Sequence, residues 1–198
     1  QPLQIMGGSA SVYEHDPTPE QRNRRSLYAE KLRGLRDPFF ETFNQPGSTN
    51  SCEIRETSTV APQALTLINS QEMHDRALAF AHRLSKETQD DKQVIKRAFQ
   101  LALGRAPTPK ETLIFLEAWR TATSDESTLS PKTSPLPNSI MRTVRAEKTG
   151  EFYTFKEFLP VSKLYKADLD RSQCNARIRG LSHLCLVIFN SNEFAYLD

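Results

Sequence analysis

Through the middle of the chain apolar residues recur at helical spacing, and near its end they close into an almost unbroken run. After Ser70, which caps the segment, Met73, Ala77, Phe80, Ala81 and Leu84 share one helix face. Asp90 or Asp91 opens a second segment carrying Val94, Ile95, Ala98, Phe99 and Ala102, and Gly104 stops it. Thr108-Pro109-Lys110-Glu111 is a capping box with proline at the first helical position. The Thr108 hydroxyl satisfies an orphan amide, Glu111 reaches back, and losing the cap costs about 1 kcal/mol. The helix that follows is expected to bury Leu113, Leu116 and Trp119 or their neighbours. A short helix spans Pro62 to Ile68, entered through Thr59. Another begins at Asp37-Pro38, presents Phe39, Phe40 and Phe43, and ends at Pro46-Gly47. Asn175 to Phe189 is apolar on nearly every side, through Ile178, Leu181, Leu184, Cys185, Val187, Ile188 and Phe189. A helix apolar all round must be buried all round, which places this one at the centre.

The remaining stretches lack such periodicity. Residues 1–23 read as an irregular arm, 45–57 as a turn-rich loop, and Ser26 to Tyr28 as extended chain or the start of a helix. Residues 124–139 hold three prolines and many Ser and Thr, the composition of a linker or surface loop. Phe152, Tyr153, Phe155, Phe158, Leu159 and Tyr165 follow without clean alternation and read as a strap across the helices. The expected fold is mainly α: an irregular helical bundle around a buried C-terminal helix, with long loops and little or no β. It is expected as one domain over 1–198, with 124–174 as a loop-rich excursion.

Charge narrows the function classes. Twenty-six basic residues face twenty-four acidic ones, leaving a formal charge of +2. Whole-chain balance of this kind gives no electrostatic reason to seek nucleic acid or an anionic membrane. No apolar run reaches the roughly 20 residues of a membrane span. The start at Gln1-Pro2, without Met or a secretory apolar region, reads as a fragment of something longer. Cys52, Cys174 and Cys185 form no CxxC or CxxCH element, so structural zinc and covalent haem are unsupported and no cofactor is expected in this chain. Cys185 sits in an apolar run as an inert thiol, whereas Cys52 and Cys174 fall in polar surroundings and are a candidate disulfide if the protein is exported.

The run Arg55-Glu56-Thr57-Ser58-Thr59-Val60-Ala61-Pro62-Gln63-Ala64-Leu65-Thr66-Leu67-Ile68-Asn69 resembles the hallmark of a planctomycete-specific C-terminal domain of unknown function. Further matching pieces are Met6-Gly7-Gly8, Arg24 to Tyr28, Arg97-Ala98-Phe99, Leu103 to Thr108, and Leu186 to Tyr196 with Asn190-Ser191-Asn192-Glu193-Phe194. In that family the domain ends large exported proteins that also carry cytochrome-c-like domains. The resemblance implies an extracytoplasmic, periplasmic-type location and upstream domains of the same parent as partners. It brings no activity that transfers residue by residue.

Candidate chemistry is sparse. A helix-turn-helix around Gly104 would need polar, basic residues at the front of its second helix, and Leu113, Ile114, Phe115, Leu116 and Trp119 point instead to a packed helical hairpin. His74 and His82 are boundary histidines with no HxxxH or HExxH partner, and His183 reads as a core histidine bonded to a carbonyl. The basic run Arg22, Arg24, Arg25, Lys31, Arg33 and Arg36 is diluted by Glu20, Glu30 and Asp37 and reads as a solvated face. If a binding site exists, Arg25, Tyr28, Gln63, Asn69 and Glu193 are its first candidates, although capping is the commoner use of such groups. The aromatics of 152–158 could stack on a glycan, yet covering a core is the commoner use of Phe. The leading expectation is a non-catalytic scaffold or interaction module. The alternatives are an enzyme or carbohydrate-binding domain with a site near residues 55–69, and a docking domain for a cytochrome-c-like electron-transfer domain.

Overall fold

The computed structural model describes residues 16, 18–28, 38–46, 61–132, 139–158 and 168–195. Its order is α1 (Pro19–Arg22), α2 (Pro38–Thr42), α3 (Ala61–Asn69), α4 (Gln71–Glu87), α5 (Asp91–Leu103), α6 (Pro109–Ser127), β1 (Ser139–Arg145), β2 (Phe152–Phe158), α7 (Ala176–Phe189) and α8 (Asn192–Ala195), with 3-10 turns at Ser26–Tyr28 and Arg171–Gln173. The chain is mainly α. It divides into two compact units, Gln1–Glu56 with Ser134–Ala167, and Thr57–Thr133 with Asp168–Asp198.

In the second unit the helix ends follow their local chemistry. Ser70 accepts from the Met73 amide, and Asp90 from the Lys92 amide. Gly104 stands in the left-handed region at φ 70°, where a side chain would be strained. Thr108 and Glu111 form the complete capping box. The closest pairings are α6 with α7 and α4 with α7. The core gathers Ala77, Ala81 and Leu84 from α4, Val94, Ile95, Ala98 and Phe99 from α5, Leu116 and Trp119 from α6, and Leu181, Leu184, Cys185 and Ile188 from α7. Burying Leu181, Leu184 and Ile188 contributes roughly 5–9 kcal/mol before entropy.

One expectation about these helices is narrowed and one is corrected. Leu113 is exposed; α6 turns Leu116 and Trp119 inward, and Leu113 is not on their stripe. The α7 helix is not dry on every side, because His183 and Val187, four residues apart on one face, are open to solvent. Apolar composition placed α7 among its neighbours, but α4, α5 and α6 do not enclose its whole circumference. At one point the fit is very close. A Cβ on Gly180 would come within 2.7 Å of Thr123 Oγ1 and 2.8 Å of the Thr123 amide nitrogen, so α6 and α7 meet nearly backbone to backbone there.

The first unit departs further from expectation. Within the arm, Thr18 caps α1 with the same Thr-Pro-x-Gln/Glu grammar seen at Thr108, its Gln21 reaching back to the cap. The α2 helix ends at Thr42, short of Pro46. Asn44 adopts φ 54°, and the Gln45 amide donates to the Phe40 carbonyl at 2.9 Å in a Schellman closure. Residues 139–158, within the stretch expected to be loop with little or no β, form an antiparallel hairpin that pairs Ser139 with Phe158 through Arg145 with Phe152. Gly150, at φ 74°, lets the turn close between Ala146 and Glu151. Phe152 to Phe158 is therefore a strand and not a strap. The expected loop also begins late, since α6 runs on to Ser127.

Replacing Gly180 by Ala adds helix propensity worth about 1 kcal/mol but pushes a methyl into the Thr123 backbone. The net expectation is a loss of about 1–2 kcal/mol in denaturant unfolding. A stabilised Gly180→Ala variant would show that the two helices do not meet this closely.

Candidate functional site

The stripe that α6 buries, Leu116, Trp119, Thr123 and Glu126, continues at spacings of three and four past the point where its sequence turns polar. It therefore carries a carboxylate into the α6–α7 seam, where Glu126 is only 2% exposed. Arg179 and His183, four apart on α7, lie on the side of that helix facing it. Arg179 Nε donates to Glu126 Oε2 at 2.8 Å, and His183 Nε2 lies 2.9 Å from Oε1. Arg171, from the 3-10 turn before α7, also donates to Oε1. Burial alone would raise the Glu126 pKa; hydrogen bonds from Arg179 and Arg171 outweigh it and hold the carboxyl below its ordinary range.

Arg179 does more than neutralise this charge. Its Nη2 donates to the carbonyls of Glu126 at 2.7 Å and Leu129 at 3.4 Å, and its Nη1 to that of Cys174. A guanidinium thus closes the C-terminus of α6, where the helix dipole favours a cation and would by itself disfavour Glu126. His183 is corrected accordingly. It is an exposed residue on a carboxylate, not a core histidine on a carbonyl.

A second cluster centres on Arg105. Its Nε and Nη2 meet Glu193 at 2.6 and 2.9 Å, its Nη2 and Nη1 meet Glu111 at 2.7 and 3.0 Å, and Nη1 also reaches the Ala106 carbonyl at 3.2 Å. All five guanidinium N–H groups are engaged. The same guanidinium lies 5.3 Å from the centre of the Phe99 ring. Held by Arg105 first and then by the Thr108 amide and hydroxyl, Glu111 is lowered to about 2. The Arg105 contact likewise lowers Glu193. A third clasp ties α5, α6 and α7: Arg177 pairs with Asp91 at 2.6 Å, lies 4.6 Å over the Trp119 ring, and accepts the indole N–H at its carbonyl at 2.9 Å.

The five candidates of the sequence are divided between the two units. Arg25 and Tyr28 belong to the first unit, both exposed. Gln63 and Asn69 lie on α3, half-buried and exposed respectively, and Glu193 is taken up by Arg105. Asn190 caps α7 through its side-chain amide on the Leu186 carbonyl at 2.8 Å. Residues 55–60 lie outside the described residues, as do Cys52, His15, Lys31, Arg33 and Arg36. Cys174 and Cys185 are buried free thiols, and burial raises both, Cys185 most. No group of three or more metal-ligating side chains is found among the described residues. Sequence reasoning misses Glu126 because 124–139 reads as linker, and misses Arg171 and Arg179 because their partner lies there; the stripe 116, 119, 123, 126 and the Arg179-x-x-x-His183 spacing are the available signals.

A family model matches residues 2–119. The chain belongs to PSD1, described as a protein of unknown function (DUF1553). The PSD1 match takes in α1 through the first half of α6 and includes Arg105 and Glu111, while Glu126, the hairpin, α7 and Glu193 follow it. No curated protein and no solved structure matches the chain.

Removing Arg179 leaves Glu126 Oε2 and the Glu126 carbonyl without their donor in a buried seam, although Arg171 and His183 stay on Oε1. Arg179→Met should therefore cost about 3 kcal/mol, and adding Glu126→Leu should recover part of that loss. Unfolding in urea measures both, and a double variant no more stable than Arg179→Met would refute the pairing. Acid should destabilise the fold. Glu87, Glu111, Glu126, Asp170 and Glu193 are all lowered in the folded state, while Asp75, raised chiefly by burial, opposes them. The unfolded chain then binds more protons, so stability present above the ordinary carboxylate range is lost as pH falls toward about 2, the value for Glu111. Melting temperatures from pH 6 downward should fall, and fall less in Arg105→Gln; a rise would contradict the assignment.

Proposed function

We propose that this chain is a non-catalytic scaffold or interaction module of a larger extracytoplasmic protein, acting on the upstream domains of that parent. The observation that carries this reading is the saturation of the ionisable groups that folding gathers. Glu126 has three cationic or imidazole partners, and every N–H of Arg105 is engaged. A general acid or base near neutrality needs a pKa near its working pH. Glu126, Glu111 and Glu193 are moved the other way, toward permanent ionisation. Such groups knit helices together. The resemblance to a planctomycete domain that ends exported, cytochrome-bearing proteins supports the location and makes a cytochrome-c-like domain a candidate partner.

The rival with a specific observation behind it is catalysis at His183, whose imidazole is exposed and oriented by a buried carboxylate, an arrangement also found in acid–base sites. Two measurements separate the readings. Titrating the chain against the separately produced upstream segment of its parent should show saturable binding. His183→Gln should leave melting within about 0.5 kcal/mol of wild type, because the Arg pair keeps Glu126 satisfied. A hydrolytic or redox turnover abolished by His183→Gln in a protein that melts normally would overturn the scaffold reading.

A further inference from the structure

The hairpin has one face that should be polar and is not. Pairing of Met141 with Lys156, Thr143 with Thr154 and Arg145 with Phe152 places these six residues, with Ser139 and Phe158, on the same side of the two strands. Along β1 the opposite residues, Ile140, Arg142 and Val144, are all partly buried, whereas on β2 Tyr153 and Phe155 of that side are 55% and 40% exposed and Glu157 is partly buried. On the first side Met141 is 67% exposed, and Phe152 and Phe158 are each 73% exposed. Three large apolar side chains standing out from one hairpin form a patch that water disfavours.

The polar groups on the same face narrow the partner. It carries two cations and no carboxylate; Glu157 points the other way and is paired with Arg142 at 2.6 Å. The Thr143 and Thr154 hydroxyls are bonded to each other at 2.8 Å, which leaves little to read sugar hydroxyls or base edges. The Arg145 guanidinium lies 5.8 Å from the Phe152 ring centre and the Lys156 ammonium 5.2 Å from that of Phe158, so each ring already has a cation on a face that a base or sugar would stack on. Apolar side chains beside cations, with the hydroxyls satisfied internally, match the boundary between acyl chains and anionic headgroups.

We propose that the Met141, Arg145, Phe152, Lys156 and Phe158 face of the hairpin is a docking surface for an anionic phospholipid membrane. Phe152, Phe158 and Met141 enter the acyl boundary while Arg145 and Lys156 meet headgroup phosphates. The contact is peripheral and needs no span, and no helix among the described residues is long and apolar enough to make one. The balanced charge of the whole chain does not oppose it, because a surface is felt within about a Debye length; there Arg145 and Lys156 stand on the face itself, and Lys148 offsets one of the two turn carboxylates, Glu147 and Glu151. It goes beyond the scaffold reading and stands on the hairpin alone, so loss of either leaves the other testable.

Co-sedimentation of the full chain with vesicles tests it. Binding is expected to vesicles of equal parts phosphatidylcholine and phosphatidylglycerol, and much less to phosphatidylcholine alone. Arg145→Gln with Lys156→Gln should weaken partition by about 25-fold, from about fivefold per cation, and make the remainder insensitive to salt. Phe152→Ser with Phe158→Ser should abolish sedimentation while circular dichroism stays unchanged. No preference for the anionic vesicles, or binding unaltered in both double variants, would overturn the proposal. So would retention of the chain by heparin or oligothymidylate with the vesicles left unbound.

Discussion

The helical unit depends on what happens to one carboxylate in the α6–α7 seam. A charge as buried as Glu126 is costly unless every lone pair finds a partner, and its partners come from elsewhere in the chain: Arg171 before α7, Arg179 and His183 on it. That requirement fixes the rotation of α7, since Arg179 and His183 reach Glu126 only when their face is turned to α6. The same rotation sends Leu181, Leu184, Cys185 and Ile188 toward α4 and α5 and leaves His183 and Val187 at the rim. It also brings Gly180 against Thr123, where no larger residue fits. Apolar burial supplies most of the driving force, but it is nearly indifferent to rotation for a helix so evenly apolar. The ion cluster and the glycine contact select one.

Arg105 plays a comparable part at the other end. It lies in the α5–α6 connection, and through Glu193 it reaches the last helix in the chain, 88 residues on. The Leu103-to-Thr108 turn and the Asn190-to-Phe194 ending meet here through the Arg105–Glu193 pair. Phe194 packs at 4.9 Å on Phe189, which stacks at 5.5 Å on Phe80 of α4, so the pair sits beside a line of rings. Polar groups near the end of a buried helix invite a functional reading. Here the geometry gives Asn190, Ser191 and Glu193 a structural partner each.

What could be read from the sequence was local. Helix ends were legible because Ser70, Asp90, Gly104 and the Thr108–Glu111 box act on their own backbone, within four residues. The α4 and α5 faces were legible because their periodicity is clean. The hairpin was not, since its exposed side carries Met141, Phe152 and Phe158, which erases the apolar–polar alternation that marks a half-buried strand. Glu126 was hidden for a related reason. A polar residue in a Ser- and Asp-rich stretch signals solvent unless its distant Arg partners are known, and Arg179 lies 53 positions away. Long-range polar pairing leaves almost no trace in a single sequence.

The helical unit and one face of the hairpin dispose of their charge differently, and this bears on where function resides. In the helical unit, the cations that fold next to carboxylates are saturated by them, and the aromatic rings are mostly interior. On the open hairpin face, cations and rings are displayed together without a carboxylate to quench them. Stability gives no reason for the second arrangement: polar side chains in place of Phe152 and Phe158 would solvate that face at no cost to the ladder, and would remove the aggregation hazard of an apolar strand surface. An exposed apolar and cationic face that folding does not require is better explained by what it meets than by what it holds together.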